Sequence, residues 1–413
     1  MWHSLRLHGV ARCGLGYPGR GHSLRIGSPV VQLRDTESEA ELRAELRAWL
    51  DRVLPELPSP PRRDDWPARV TYDTDWQRRL YEAGYAGMSW PKEYGGRGAP
   101  PGEQLVFLEE TTRARAPYVG VNFVGTLHAG PTLIAEGTDE HKAAHIPRIL
   151  QGDQVWCQCF SEPGAGSDLA GLQTRAVLDG DHYVVNGRKT WCSFGHVGEF
   201  GELLVRTDPD APKHKGITWL ILPMDLPGIE VRPIETLLGS SEFCEVFLDD
   251  VRVPVEQRVG AENDGWRVTN VTLSFERGTA FVSEMVDALR MAEELAPSVH
   301  DPVEQRELAH VVAELDALWA LTKRNVSQAD ARGTPGPGAM MLKLGYSEAR
   351  DRLGELSLRV LEREGLDVDD FAVEERLRTL SIPIAAGTSQ IQRNIIGERL
   401  LGLPKERPWP REA

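Results

Sequence analysis

The sequence predicts an α+β fold in which an N-terminal helical domain, a middle antiparallel β domain and a C-terminal helix bundle follow one another. Three observations carry this. Apolar residues recur at helical spacing to about residue 150, strand-like apolar runs with turn signals fill the stretch to Pro254, and helical periodicity returns after Gly265. A chain of 413 residues is long enough for two or three domains with substantial cores.

The elements follow in order. Residues 1–34 hold five arginines and no acidic residue. Their composition is like that of an organellar transit peptide, but they lack its amphipathic order, so a disordered basic extension is expected. Folded domains are then expected at 35–150, 151–255 and 256–413. Thr36 and Glu39 make a capping box ahead of Leu42, Leu46, Trp49, Leu50 and Val53, which predicts an amphipathic helix ending near Pro55. In DHYVVNGRKTWCSF, Asn186-Gly187 predicts a hairpin turn between two short strands, because both residues tolerate positive φ. Further strands are expected at 202–206, 218–222 and 245–248. Asp301-Pro302 opens a helix whose apolar face is Leu308, Val311, Leu315, Leu318 and Thr322. The loop GTPGPG at 333–338 leads to a helix from about Met340, and a last helix runs from Ser389 to Leu401 with Gly402 just past its end.

Charge and composition exclude several function classes. The net charge is −15, and −20 without the basic first 34 residues, so nucleic acid is not an expected partner. Phosphates on a cofactor or substrate would have to be held locally, by backbone N–H groups or a few basic side chains. No apolar stretch approaches the ~18 to 20 residues of a membrane span. Five thinly spread cysteines fit a reducing, cytoplasmic compartment. Cys157 and Cys159 read as two thiols on one strand face rather than a metal pair, and no metal is expected. His141 and His145 read as part of a solvated helix, DEHKAAH, and Lys213 and Lys215 as part of a solvated hairpin loop rather than a cradle for phosphates.

The segment Ser161–Asp168, SEPGAGSD, follows an apparent strand, VWCQCF. Glycines there let the backbone approach a flat or phosphorylated ligand, and serine hydroxyls can donate to ring heteroatoms. Taken alone, such a loop reads more readily as a plain turn. Together with DGDHYVVNGRKTWCSFG, EVFLDDVRVP and AAGTSQIQRNIIGERLLGLP, in that order and spacing, it resembles the acyl-CoA dehydrogenase family over roughly residues 36–405.

That resemblance implies FAD, an acyl-CoA substrate and an electron-transfer flavoprotein as acceptor. It implies a flavin and pantetheine surface at Gln158, Phe160, Ser161, Gly166 and Ser167. Trp191 and Ser193 match the residues that cover the flavin and hydrogen-bond it, and Thr388 and Gln390 match cofactor contacts at the start of the last long helix. The implied chemistry is loss of an α-proton from the thioester and of a β-hydride to flavin N5. Such chemistry needs a carboxylate in an apolar pocket and a polarised carbonyl. Many relatives place the base just before GTSQIQ, where this chain has Ala386. Others place it before an arginine on another helix, which makes Glu276, with Arg277 beside it in LSFERGT, the expected base. The backbone N–H at Ala386 is the expected donor to the carbonyl. Ala385 and Ala386 replace a bulkier pair, so branched, cyclic or steroid-like acyl chains are expected.

The family's Arg-x-x-Phe-Gly and Gly-Gly segments for the adenosine half of FAD are missing. Arg290 is followed by MAEE, and LEREGLDVDD occupies 361–370. A heteromer with a paralogous subunit that supplies this grip is therefore expected. Two competing readings are a non-catalytic partner subunit and a flavin oxidase or monooxygenase on the same fold.

Overall fold

A computed structural model describes residues 34–279, 281–332, 338–361 and 371–405, with the side chains of 274–279, 330–332, 339 and 371 excepted. The basic extension therefore lies almost wholly outside the described residues, as do most of GTPGPG and residues 362–370.

The N-terminal helices are α1 (Glu37–Val53), α2 (Trp66–Glu82), α3 (Pro101–Arg113), α4 (Gly130–Glu136) and α5 (Asp139–Gln151). The capping box is formed: Thr36 N–H donates to Glu39 at 2.7 Å, and Glu39 N–H donates to the Thr36 hydroxyl at 3.3 Å. Behind it Leu42, Leu46, Leu50 and Val53 are buried as one stripe, and Trp49 packs on Trp76 and Tyr85.

Strands β1 (Trp156–Cys159), β2 (Arg175–Asp179), β3 (His182–Ser193), β4 (Phe200–Arg206), β5 (Ile217–Pro223), β6 (Ile229–Ile234), β7 (Phe243–Pro254) and β8 (Arg258–Val259) form one sheet. Its order is β6-β7-β3-β2-β4-β5-β8, mostly antiparallel, with β1 added parallel to β4. The two faces serve different cores. Trp156, Leu204, Ile217 and Trp219 pack with the N-terminal helices, whereas Cys157, Cys159, Cys192 and Cys244 join Tyr183, Val185 and Leu203 inside the curled sheet. Cys157 and Cys159 thus share one strand face, their sulfurs 3.8 Å apart.

Two sequence expectations are corrected. Asn186-Gly187 is not a turn: β3 runs through it, opposite a bulge in β7 where Asp250 takes φ +49°. The Asn186 amide donates to Asp250 at 2.9 Å and its oxygen accepts from Asp250 N–H at 3.0 Å, so its turn-forming groups are used across the sheet. The hairpin lies earlier, between Asp179 and His182, where Gly180 takes φ +62°. Nor are His141 and His145 solvated. Both are buried, His141 Nε2 bonding the Glu256 carbonyl and His145 hydrogen-bonding Gln154 while its ring meets Trp156 and Phe200 edge-on. Burial lowers the His145 pKa, so the ring packs as a neutral aromatic.

The chain then forms α6 (Gly265–Thr279), α7 (Val282–Leu295), α8 (Pro302–Arg332), α9 (Ala339–Leu361), α10 (Phe371–Thr379) and α11 (Ser389–Ile395), which continues as a π turn over Ile396–Leu400. Leu308, Val311 and Leu315 of α8 and Tyr346, Leu353 and Leu356 of α9 form the core of this bundle with α7. Among the described residues no helix is long and apolar enough to cross a membrane.

Candidate active site

The loop after β1 is fixed from beneath. Lys189, on β3, is fully buried, and its Nζ donates to the Phe160 carbonyl at 3.1 Å and to Glu162 Oε1 at 2.8 Å. Glu162 also accepts from the N–H groups of Gln173 at 2.7 Å and Thr174 at 2.8 Å. Burial works to lower the Lys189 pKa and Glu162 opposes it. Burial works to raise that of Glu162, but the Lys189 charge and the two backbone bonds bring it below the ordinary carboxylate value. Farther along, Arg206 donates to the carbonyls of Ala170 and Leu172, and Lys213 pairs with Asp168.

The upper side of the loop is bare. A Cβ built on Gly164 or Gly166 meets nothing within 4 Å, and neither glycine has positive φ, so the protein's own packing requires neither. The N–H groups of Ser161, Gly166 and Ser167 find no acceptor among the described residues. Thr190 N–H donates to the Ser161 carbonyl at 2.9 Å, which joins the loop to the end of β3. There Trp191 stands 58% exposed at φ +58°, a left-handed conformation that is costly for a bulky residue. Its ring meets Phe243 edge-on, the residue paired with Ser193 across the strands.

Phe160 is buried under this loop, while Gln158 faces the helices: its amide donates to His128 Nδ1 at 2.9 Å and lies 3.4 Å from Glu202. His128 sits in a π-helical turn, Gly125–Ala129, and burial pushes its pKa down to about 4. Lys189, Glu162 and His128 were not singled out from the sequence, although Glu162 lies within SEPGAGSD and Lys189 two residues before Trp191.

The remaining expected residues lie in the C-terminal bundle, on α6 and at the start of α11. Ala386 is exposed at φ +52°, ahead of Gly387 at φ +87°, and its N–H has no backbone acceptor among the described residues. Thr388 caps α11 by accepting from Ile391 N–H at 3.2 Å, and Gln390 is exposed on the first turn. Glu276 and Arg277 lie in α6, one turn beyond Thr272, whose hydroxyl meets that of Thr132 on α4 at 2.9 Å. The side chains of Glu276 and Arg277 are outside the described residues. Arg290 is committed within α7 to Asp287 and Glu294. Among the described residues no group of three or more His, Cys, Asp or Glu is arranged to hold a metal.

A loop that bares N–H donors beside a strained tryptophan suits a flat ring with acceptor atoms on its edge, as in the class of flavin-dependent oxidoreductases. Within it, the chain belongs to the acyl-CoA dehydrogenase family. Residues 36–153, 157–251 and 263–401 match that family's N-terminal, middle and C-terminal domains. The family consists of oxidoreductases that act on CH–CH bonds. The chain is 39% identical over 342 residues to acyl-CoA dehydrogenase IpdE1 of Mycobacterium tuberculosis (strain ATCC 25618 / H37Rv), covering 80% of this chain and 88% of the relative. It superposes with TM-score 0.78 on the structure named Tcur3481-Tcur3483 steroid ACAD, 30% identical, over 91% of this chain and 100% of that one. The ChsE4-ChsE5 complex from Mycobacterium tuberculosis superposes with TM-score 0.77 at 33% identity, over 91% and 100%.

Proposed function

We propose that this chain catalyses FAD-dependent α,β-dehydrogenation of an acyl-CoA thioester to the trans-2-enoyl-CoA, with Glu276 as the α-proton base. The observation that carries this reading is the free N–H of Ala386. Held in the left-handed region just before α11, it offers a donor for a carbonyl oxygen on which negative charge develops as the α-proton leaves. Glu276 takes that proton, and Arg277 beside it orients the carboxylate. Bound FAD would supply the acceptor for the β-hydride. Ser161, Gly166, Ser167, Trp191 and Ser193 would hold its ring, with Gln158, Phe160, Thr388 and Gln390 as the further contacts that the family resemblance implies. An electron-transfer flavoprotein would take the electrons onward.

Two further parts of the reading are supported separately. Small side chains at Ala385 and Ala386 favour branched, cyclic or steroid-like acyl groups, in keeping with the relative named a steroid ACAD. Both structural relatives carry the names of two chains, and Arg290 is already engaged within α7. A paralogous subunit that completes the grip on the adenosine half of FAD fits both facts.

The test is Glu276→Gln in the flavin-loaded assembly. Substrate bleaching and α-proton exchange should fall at least about 10²-fold with FAD content unchanged. Retained exchange would overturn the assignment and leave the chain as a structural subunit. In a panel of acyl-CoAs, fastest turnover of an unbranched medium chain would overturn the substrate class.

A further inference from the structure

We propose that Lys189 is a positioning residue that raises the electron affinity of the bound flavin, acting through the Phe160–Ser161 peptide. This rests on the flavin-binding reading above. Lys189 lies beneath the loop, shut off from solvent, and its ammonium is directed at two acceptors, the Phe160 carbonyl at 3.1 Å and Glu162 at 2.8 Å. A planar trans peptide directs its C=O and N–H to opposite sides, and the described residues contain no cis peptide. With the Phe160 carbonyl turned down onto the buried ammonium, the Ser161 N–H is turned away from it, and it is one of the donors that find no acceptor.

Lys189 thus stands behind a peptide whose front is open. A cation on the carbonyl polarises the amide and strengthens its N–H as a donor, and burial keeps water from screening the effect. A ring that has gained electrons accepts more strongly from such a donor than the oxidised ring, so the reduced state gains the larger share. Glu162 neutralises the lysine overall and anchors it through Gln173 and Thr174, which leaves the directional bond to Phe160 as its distinctive contribution.

A purely structural lysine would leave a different trace. Its loss would loosen the loop and weaken oxidised and reduced flavin alike, without moving the reduction potential. The experiment is therefore a potentiometric titration of the FAD-loaded protein, in its assembled form, for wild type, Lys189→Met and Lys189→Gln. Glutamine keeps an N–H donor and removes the charge, and it serves should the methionine variant fail to fold.

The expected result is a reduced-state affinity that falls about tenfold more than the oxidised-state affinity in Lys189→Met. For a two-electron couple that lowers the potential by about 30 mV. Lys189→Gln should fall between. Flavin bound to either variant at the wild-type potential would overturn the inference and leave the flavin-binding reading intact. Failure of the wild-type assembly to take up added FAD would overturn both.

Discussion

The ammonium of Lys213 lies 2.6 and 2.8 Å from the two carboxylate oxygens of Asp168, joining the β4–β5 loop to the last residue of SEPGAGSD. Both side chains are half exposed or more, so solvent and salt screen the pair. A double-mutant cycle of Lys213→Ala and Asp168→Ala, read by urea unfolding at physiological salt, should give a coupling below about 1 kcal/mol. A markedly larger value would mean that this contact, and not the buried pair beneath, holds the loop.

Gly187 is a steric requirement of a different kind. A Cβ there would lie 2.5 Å from Thr174 Oγ1 and 2.7 Å from Thr174 Cβ, and Thr174 is buried with its N–H on Glu162. Gly187→Ala should therefore destabilise by about 1–3 kcal/mol through overpacking, seen as a lower urea midpoint at unchanged slope. Flavin retention should drop with it, because the displaced strand carries Lys189.

His128 predicts a pH dependence. Burial takes its pKa to about 4 in the fold, against an ordinary value near 6.5, so the unfolded chain binds the proton more tightly. Its contribution is fully present above about pH 6.5 and is lost as pH falls through about 4, up to about 3 kcal/mol in all. The groups facing it are Gln158 and Glu202, so His128→Asn keeps a hydrogen-bonding partner for Gln158. The difference between wild-type and variant stability should narrow steadily between those two pH values. A constant difference would refute the neutral buried imidazole.

Thr272→Val removes the hydroxyl that meets Thr132 while keeping shape. Thr132 retains its bond to the His128 carbonyl at 2.8 Å, so the loss should be about 1 kcal/mol in unfolding free energy. Since Glu276 lies one turn farther along α6, the expected kinetic signature is a lower kcat at nearly constant KM. A rise in KM alone would argue against α6 as the carrier of the base.

How much of this could be read from the sequence depends on the range of the forces involved. The α1 cap and its leucine stripe were legible because both act within a few residues. Asn186-Gly187 was misread as a turn because Asn186 is engaged by Asp250 in the bulge of β7, far away in sequence. Lys189 keeps the inward phase of Tyr183 and Val185, but a lysine between Arg188 and Thr190 reads as solvated, and that hid its burial. His141 and His145 looked solvated because a letter reveals neither the Glu256 carbonyl that holds His141 nor the rings of Trp156 and Phe200 around His145. The motif loop was legible as a glycine-rich turn following a strand, whereas its support from below was not.

The four cysteines inside the curled sheet have a practical consequence. Each is fully buried, and burial lifts Cys244 to about 11, which suppresses its thiolate at neutral pH. An alkylating reagent can reach them only when the sheet opens, so their labelling rate is an internal clock for that opening. With Cys13 replaced by serine to silence the N-terminal extension, mass spectrometry of the labelled chain would time the β domain separately from the helices around it. Flavin should slow that clock to the degree that it staples the loop to β3.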